Sequence, residues 1–219
     1  MPVTAIAPPF AAAAAVFDLD GLLVDTEDLW EVAERRVVAD HGVEWDPALR
    51  PQLLGRGPDE SSAIIAAFVG TDDVRAVDRL LLEAAIDEFR GGVVARAGAR
   101  RLVEGLAGRL PIAVATNSRR VLAELSLAAA GLSAHVDAVI CLEDVAAAKP
   151  APDPYLAACA ALGADPRRAV AFEDSPVGSR SARAAGLWVV GCPSVATSVL
   201  DADVVVASLD EIDPAALLP

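Results

Sequence analysis

Apolar positions along this chain follow two different rhythms. In the second half, short runs of strand length recur at Ile112–Ala115, Val136–Cys141, Ala169–Phe172, Leu187–Gly191 and Val204–Ala207. Segments with helical spacing lie between them, among them Val121–Ala129, Tyr155–Leu162 and Val177–Ala185. Strands that are apolar at nearly every position (Asp137 is an exception), not at every second one, are buried on both faces. Alternating with helices, they predict an α/β fold with a parallel sheet covered on both sides. An earlier strand, about Ala12–Phe17, belongs with them and ends in Asp18-Leu-Asp-Gly21. Right-handed βα crossovers are expected throughout.

The other rhythm separates that first strand from the rest. Residues 26–92 carry helical periodicity only, with Leu29, Val32/Ala33 and Val37 on one face and Val77, Leu80/Leu81 and Ala84 on another. Asp46-Pro47 and Gly57-Pro58 mark helix starts, and Gly91-Gly92 closes the stretch as a flexible pair. The domain reading is therefore an α/β core from residues 1–25 and 93–219. Residues 26–92 form an inserted all-helical cap, mobile on two hinges.

Composition narrows the function classes. A formal charge of −14 and a pI near 4.4 argue against nucleic-acid partners, which a polyanion of this kind would repel. Hydrophobic residues make up 54% and mean hydropathy is +0.44, but much of this is alanine. The longest apolar run, Phe10–Phe17, falls short of the roughly 18–20 residues that span a bilayer. With no Lys or Arg ahead of it, a secretory leader is not expected; the reading is a cytoplasmic monomer without a membrane partner. Cys141, Cys159 and Cys192 form no C-x-x-C pair, and only His41 and His135 could join them. Buried reduced thiols are expected.

The chain has 17 arginines and a single lysine, Lys149. A compact ammonium does what a planar guanidinium cannot, so that one exception is a candidate functional residue.

Four polar clusters fall at the predicted C-terminal ends of strands or just beyond, where open parallel sheets bind ligands. Asp18-x-Asp20 follows the first strand, with spacing that lets both carboxylates face one crevice. Thr116-Asn117-Ser118 follows Ile112–Ala115, with Ser118 placed as the N-cap of the next helix, a site that suits phosphate. Lys149 opens Lys-Pro-Ala-Pro-Asp-Pro, where Asp153 and Pro154 are placed as N-cap and first helical residue. Glu173-Asp174-Ser175-Pro176 follows Ala169–Phe172. Carboxylates with carbonyls suit Mg²⁺, and hydroxyl, amide and ammonium donors add a phosphoryl pocket.

At these residues the chain resembles the haloacid dehalogenase superfamily. Phe17-Asp-Leu-Asp-Gly-Leu-Leu-Val-Asp-Thr-Glu27 is similar to its first motif, and Thr116, Lys149 and Glu173-Asp174 to the second, third and fourth. The resemblance implies a Rossmann-like core with a type 1 helical cap. It implies an Mg²⁺-dependent phosphatase acting on a small phosphorylated metabolite such as a sugar or polyol phosphate. Asp18 is then the nucleophile that forms an aspartyl-phosphate, and Asp20 the general acid/base. Mg²⁺ is held by Asp18, the Asp20 carbonyl and Asp174, with Glu173 either a direct ligand or one step behind. Thr116 and the Asn117 amide take phosphate oxygens, and Lys149 balances charge.

Arg56, in Leu53-Leu-Gly-Arg-Gly57, sits where such caps place a specificity loop, and Trp30 either lines the substrate cavity or packs the cap. Arg119, Arg120 and Arg180 are placed at helix starts on the crevice rim. Relatives that need a cap lysine, phosphonoacetaldehyde hydrolases and β-phosphoglucomutases, fit poorly because the cap has none. Dehalogenases proper lack the second aspartate. A phosphosugar mutase and a non-catalytic binding module remain as alternatives.

Overall fold

The computed structural model describes residues 7–54 and 56–218. Residues 1–6, part of the segment on which the leader expectation rests, and Gly55, within the proposed specificity loop, lie outside the described residues. The chain starts with β1 (Ala14–Phe17) and β2 (Val24–Asp25). It continues through α1 (Glu27–Asp40), α2 (Arg50–Leu53), α3 (Pro58–Val69) and α4 (Val74–Gly92), and returns as β3 (Val94–Ala95). Then follow α5 (Ala99–Leu106), β4 (Ile112–Ala115), α6 (Arg120–Ala129), β5 (Ala138–Ile140), α7 (Asp153–Ala161), β6 (Ala169–Glu173), α8 (Pro176–Ala185), β7 (Trp188–Gly191) and β8 (Val204–Val205). Thr26–Val93 form one compact unit; the segments before and after it form the other.

In the α/β unit a parallel sheet runs in the order β5-β4-β1-β6-β7-β8. Successive side chains point to opposite faces, and the two faces differ. On one, Ala14, Val16, Ala113, Ala115, Ala169 and Ala171 are small and buried, in one cluster with Tyr155, Ala158 and Cys159 of α7 and Ala182 and Ala185 of α8. Small strand residues let those helices lie close. On the other, the bulkier Phe17, Ile112, Val114, Val170 and Phe172 are buried, with Phe17 and Phe172 stacked at 4.5 Å between ring centroids. Four strands are shorter than their apolar runs: β1 and β7 start later than the runs do, and β5 and β8 keep half of theirs. β5 and β8 are the sheet edges, where exposure relaxes the pattern and the ladder ends early. All three cysteines are free and buried. No helix among the described residues is long and apolar enough to cross a membrane.

β2 and β3 pair antiparallel, Val24 with Ala95 and Asp25 with Val94, so the two chain crossings into the helical unit are tied together. Within that unit α1 and α3 pack on α4. Ala33, Val37, Val77, Leu81 and Ala84 are buried as the periodicity predicts, but Val32 is exposed and Glu34 is buried. Arg50 is the reason. Its guanidinium takes Glu27 at 2.8 Å, Glu31 at 3.3 Å and Glu34 at 3.1 Å, drawing one acidic edge of α1 inward. Gly91 and Gly92 are also not a separate flexible turn: both belong to the last turn of α4, and neither has positive φ. The backbone freedom expected of them is spent on helix.

Candidate active site

β1 lies between β4 and β6, where the sheet order reverses direction, and crevices at such points open beyond the strand C-termini. Asp18 continues β1, its N–H donating to the Phe172 carbonyl at 3.0 Å. Thr116 continues β4, and Glu173 ends β6. Lys149 arrives from the loop between β5 and α7. Here the structure brings together Asp18, Asp20, Thr116, Asn117, Lys149, Glu173 and Asp174, every site residue expected from the α/β unit.

Lys149 is buried and held on three sides. Its Nζ lies 2.5 Å from Asp18 Oδ1, 2.7 Å from Glu173 Oε1 and 3.4 Å from the Tyr155 hydroxyl. Burial alone would lower its pKa, but Asp18 and Glu173 together outweigh burial and hold the ammonium above the usual lysine range. Glu173 is fully enclosed. Its Oε1 accepts from Lys149 and, at 2.8 Å, from Tyr155; its Oε2 accepts from the N–H groups of Asp174 and Ser175 and from the Ser175 hydroxyl. A carboxylate has about four lone-pair sites, so five protein donors leave little for anything else.

Asp20 is partly buried and accepts from the Ser118 hydroxyl at 2.6 Å and the Thr116 hydroxyl at 3.4 Å. Ser118 is therefore not the expected N-cap: α6 begins later, at Arg120, with Arg119 in the cap position and no side-chain cap bond. Likewise α7 begins at Asp153 itself, behind Pro152, which moves Asp153 and Pro154 one place into the helix. The Asn117 side chain is committed to Lys149. It donates to the Lys149 carbonyl at 3.2 Å and accepts from its N–H at 2.9 Å. Only the Asn117 backbone N–H, which has no acceptor among the described residues, is left to serve an anion.

One oxygen each of Asp18, Glu173 and Asp174 lies within 4.8 Å of the others. Burial, partly opposed by Lys149, raises the Asp18 pKa well above the usual carboxylate range, and Glu173 and Asp174 push it further. Burial followed by the Glu173 charge pushes Asp174 up to about 7, against a hydrogen bond from Ser194 and the pull of Lys149. Three carboxylates share one ammonium, so the cluster lacks positive charge. A hard divalent cation fits that oxygen donor set. Gly21 makes room for the Asp174 carboxylate: with φ +83 it adopts a conformation side chains avoid, and a Cβ there would overlap that group.

Arg56 and Trp30 belong to the other unit, and their visible partners lie there. Arg56 is exposed and donates to the Gln52 carbonyl at 3.3 Å and to Glu60 at 3.5 Å. Trp30 meets Phe89 edge-on at 5.6 Å between centroids. Of the three rim arginines, Arg119 and Arg120 do stand at a helix start, where Arg120 pairs with Asp144. Arg180 stands mid-way along α8.

Tyr155 is a site residue that the motifs do not single out, and Ser118 is a partner of Asp20, not a local cap. Tyr155 carried a signal: it is the only tyrosine in the chain, six residues after the only lysine.

A family model described as haloacid dehalogenase-like hydrolase matches residues 15–192. The chain is 34% identical over 206 residues to validoxylamine A 7'-phosphate phosphatase of Streptomyces hygroscopicus subsp. limoneus, covering 90% of this chain and 94% of that protein. It is 34% identical over 176 residues to the fructose-1-phosphate phosphatase of Escherichia coli (strain K12), covering 80% and 93%. Among solved structures, a mutant of CbbY from Rhodobacter sphaeroides in complex with xylulose-(1,5)bisphosphate superposes with a TM-score of 0.82. The identity there is 27%, covering 95% of this chain and 100% of that chain.

Proposed function

The chain belongs to the haloacid dehalogenase-like hydrolase family, and on that premise we propose that it is an Mg²⁺-dependent phosphatase of a small sugar or polyol phosphate. The observation that carries this reading is the buried Asp18–Lys149 pair at 2.5 Å, at the C-terminal end of the central strand. A carboxylate so placed is a nucleophile with its charge partner already in position.

In the first step Asp18 attacks phosphorus and takes the phosphoryl group as an aspartyl-phosphate, while Asp20 gives its proton to the departing alkoxide. In the second, Asp20 takes a proton from water, which attacks the aspartyl-phosphate and releases phosphate and free Asp18. Lys149 offsets charge on Asp18 and on the transferring group. The Thr116 hydroxyl and the Asn117 N–H receive phosphate oxygens. Asp18, Asp174 and the Asp20 carbonyl would hold Mg²⁺, which when bound neutralises the crowded carboxylates and the phosphoryl oxygens. Glu173, with its oxygens already engaged, acts from behind as the anchor of Lys149.

The relatives named as phosphatases of validoxylamine A 7'-phosphate and of fructose-1-phosphate support the substrate class. Water, not a second sugar hydroxyl, is the acceptor in this reading, because residues 26–93 offer no lysine of the kind a phosphosugar mutase needs. The test is a panel of phosphorylated sugars and polyols assayed for released phosphate, with Mg²⁺ and then with EDTA. Turnover that requires Mg²⁺ and disappears in Asp18→Asn is the expected result. Turnover surviving in Asp18→Asn, or interconversion of sugar phosphates without phosphate release, would overturn it.

A further inference from the structure

We propose that Tyr155 is a positioning residue for phosphoryl transfer, acting through Lys149; this rests on the phosphatase reading above. Tyr155 is completely buried on α7, among the alanines of the sheet face, with its hydroxyl emerging at the carboxylate cluster. A buried tyrosine hydroxyl needs a partner, and one hydrogen bond would satisfy it. This one does more. It donates to Glu173 Oε1 at 2.8 Å, lies 3.4 Å from Lys149 Nζ, and carries its ring beneath the same ammonium at 4.9 Å from the centroid.

An ammonium has three hydrogens to place. Asp18 and Glu173 take two, and the Tyr155 oxygen is the third acceptor in a pocket where Lys149 is almost closed to solvent. The ring face adds an electrostatic floor. The hydroxyl also occupies one side of Glu173 Oε1, so that oxygen cannot swing away from the lysine. Tyr155 thereby fixes both the ammonium and its anchor, and the Nζ points at Asp18. Such an arrangement matters most when negative charge grows on the transferring oxygens, not when the ground-state ester binds.

The test is Tyr155→Phe, which keeps the ring and its packing and removes the hydroxyl alone. Three readouts are taken with Mg²⁺ present: steady-state hydrolysis of p-nitrophenyl phosphate, the unfolding midpoint, and the dissociation constant of orthovanadate, which mimics the pentacoordinate phosphoryl group. The expected result is a fall in kcat of about ten-fold with KM within about two-fold, and vanadate binding weakened by a similar factor. In a Lys149→Met background, read by vanadate binding alone, Tyr155→Phe is expected to add nothing.

A lowered midpoint with kcat and vanadate affinity unchanged makes Tyr155 a packing residue and overturns the proposal. Equal weakening of vanadate in both backgrounds also overturns it, because the hydroxyl then acts without Lys149. If the unsubstituted protein neither hydrolyses a phosphomonoester nor binds vanadate, the phosphatase reading itself fails, and the proposal with it.

Discussion

The carboxylate of Glu173 occupies the space in which a side chain at Gly178 would stand: a Cβ there would overlap both carboxylate oxygens. The contact is made possible by the first turn of α8. Ser175 caps it, accepting from the Gly178 N–H at 3.0 Å while donating its hydroxyl to Glu173 Oε2 at 3.1 Å. The helix start and the anchor of Lys149 are thus one piece of structure. Gly178→Ala is expected to push Glu173 off Lys149, lowering turnover about ten-fold or more and costing about 1–3 kcal/mol of overpacking. Gly91→Ala is the control. Nothing lies within 4 Å of a Cβ at that helical position, so stability holds or rises by about 0.5–1 kcal/mol and activity stays. Thermal unfolding and phosphatase kinetics on the two variants check both halves.

Lys149→Arg conserves charge but not shape. The Nζ fits between Asp18, Glu173 and the Tyr155 ring, and a planar fork reaching further cannot keep all three. Turnover is expected to fall by about ten-fold or more, or about 1.4 kcal/mol of barrier, with the protein still folded. Unchanged kinetics would show that only the charge matters.

What could be read from the sequence, and what could not, follows the range of the forces involved. Ile112–Ala115 and Ala169–Phe172 were legible because burial on both faces leaves no polar position to obscure a strand. The clusters at Asp18, Thr116, Lys149 and Glu173 were legible because parallel topology puts strand ends on one edge. Ser118 was misread because a serine after a strand has a strong local preference for capping, whereas its real partner, Asp20, is 98 residues away. Val32 and Glu34 were exchanged for the same kind of reason. Periodicity favours burying the valine, but the fork of Arg50, supplied by another helix, brings the glutamate in. Tyr155 sat in an apolar helix pattern that gave no hint of where its hydroxyl ends.

Glu34 makes the helical unit sensitive to pH. Burial, partly opposed by Arg50 and reinforced by Glu27 and Glu31, raises its pKa from 4.5 to about 7. A carboxyl that holds its proton longer folded than unfolded adds stability at low pH, and that stability is lost as pH rises from about 4.5 through about 7. Every tenfold difference in proton affinity between the folded and unfolded chain corresponds to about 1.4 kcal/mol. Glu34→Gln, which keeps an acceptor for Arg50 without the charge, is expected to unfold at a midpoint that gains on the unsubstituted protein between pH 5 and pH 8. Parallel pH profiles for the two would mean that Glu34 is ionised in the fold throughout.

Asp20 and Ser118 give the most discriminating prediction about the chemistry. The Ser118 hydroxyl lies 2.6 Å from Asp20 Oδ2, with Thr116 at 3.4 Å from the same oxygen, so the proposed acid/base is held by the loop proposed to receive the phosphate. Removing the carboxyl in Asp20→Asn is expected to cost about 10²–10⁴ in turnover of an alkyl phosphate, the usual worth of a positioned acid or base. Ser118→Ala leaves Asp20 in place but less restrained, so its loss is expected to be smaller, about ten-fold. The leaving group separates orientation from mere structural damage. An alkoxide must be protonated as it departs, whereas p-nitrophenolate leaves without help. Ser118→Ala should therefore slow a sugar or polyol phosphate more than p-nitrophenyl phosphate, provided phosphorylation of Asp18 limits the rate. Single-turnover phosphate release on both esters makes the comparison. Equal losses on the two would mean that Ser118 shapes the phosphate loop and does not orient the proton donor.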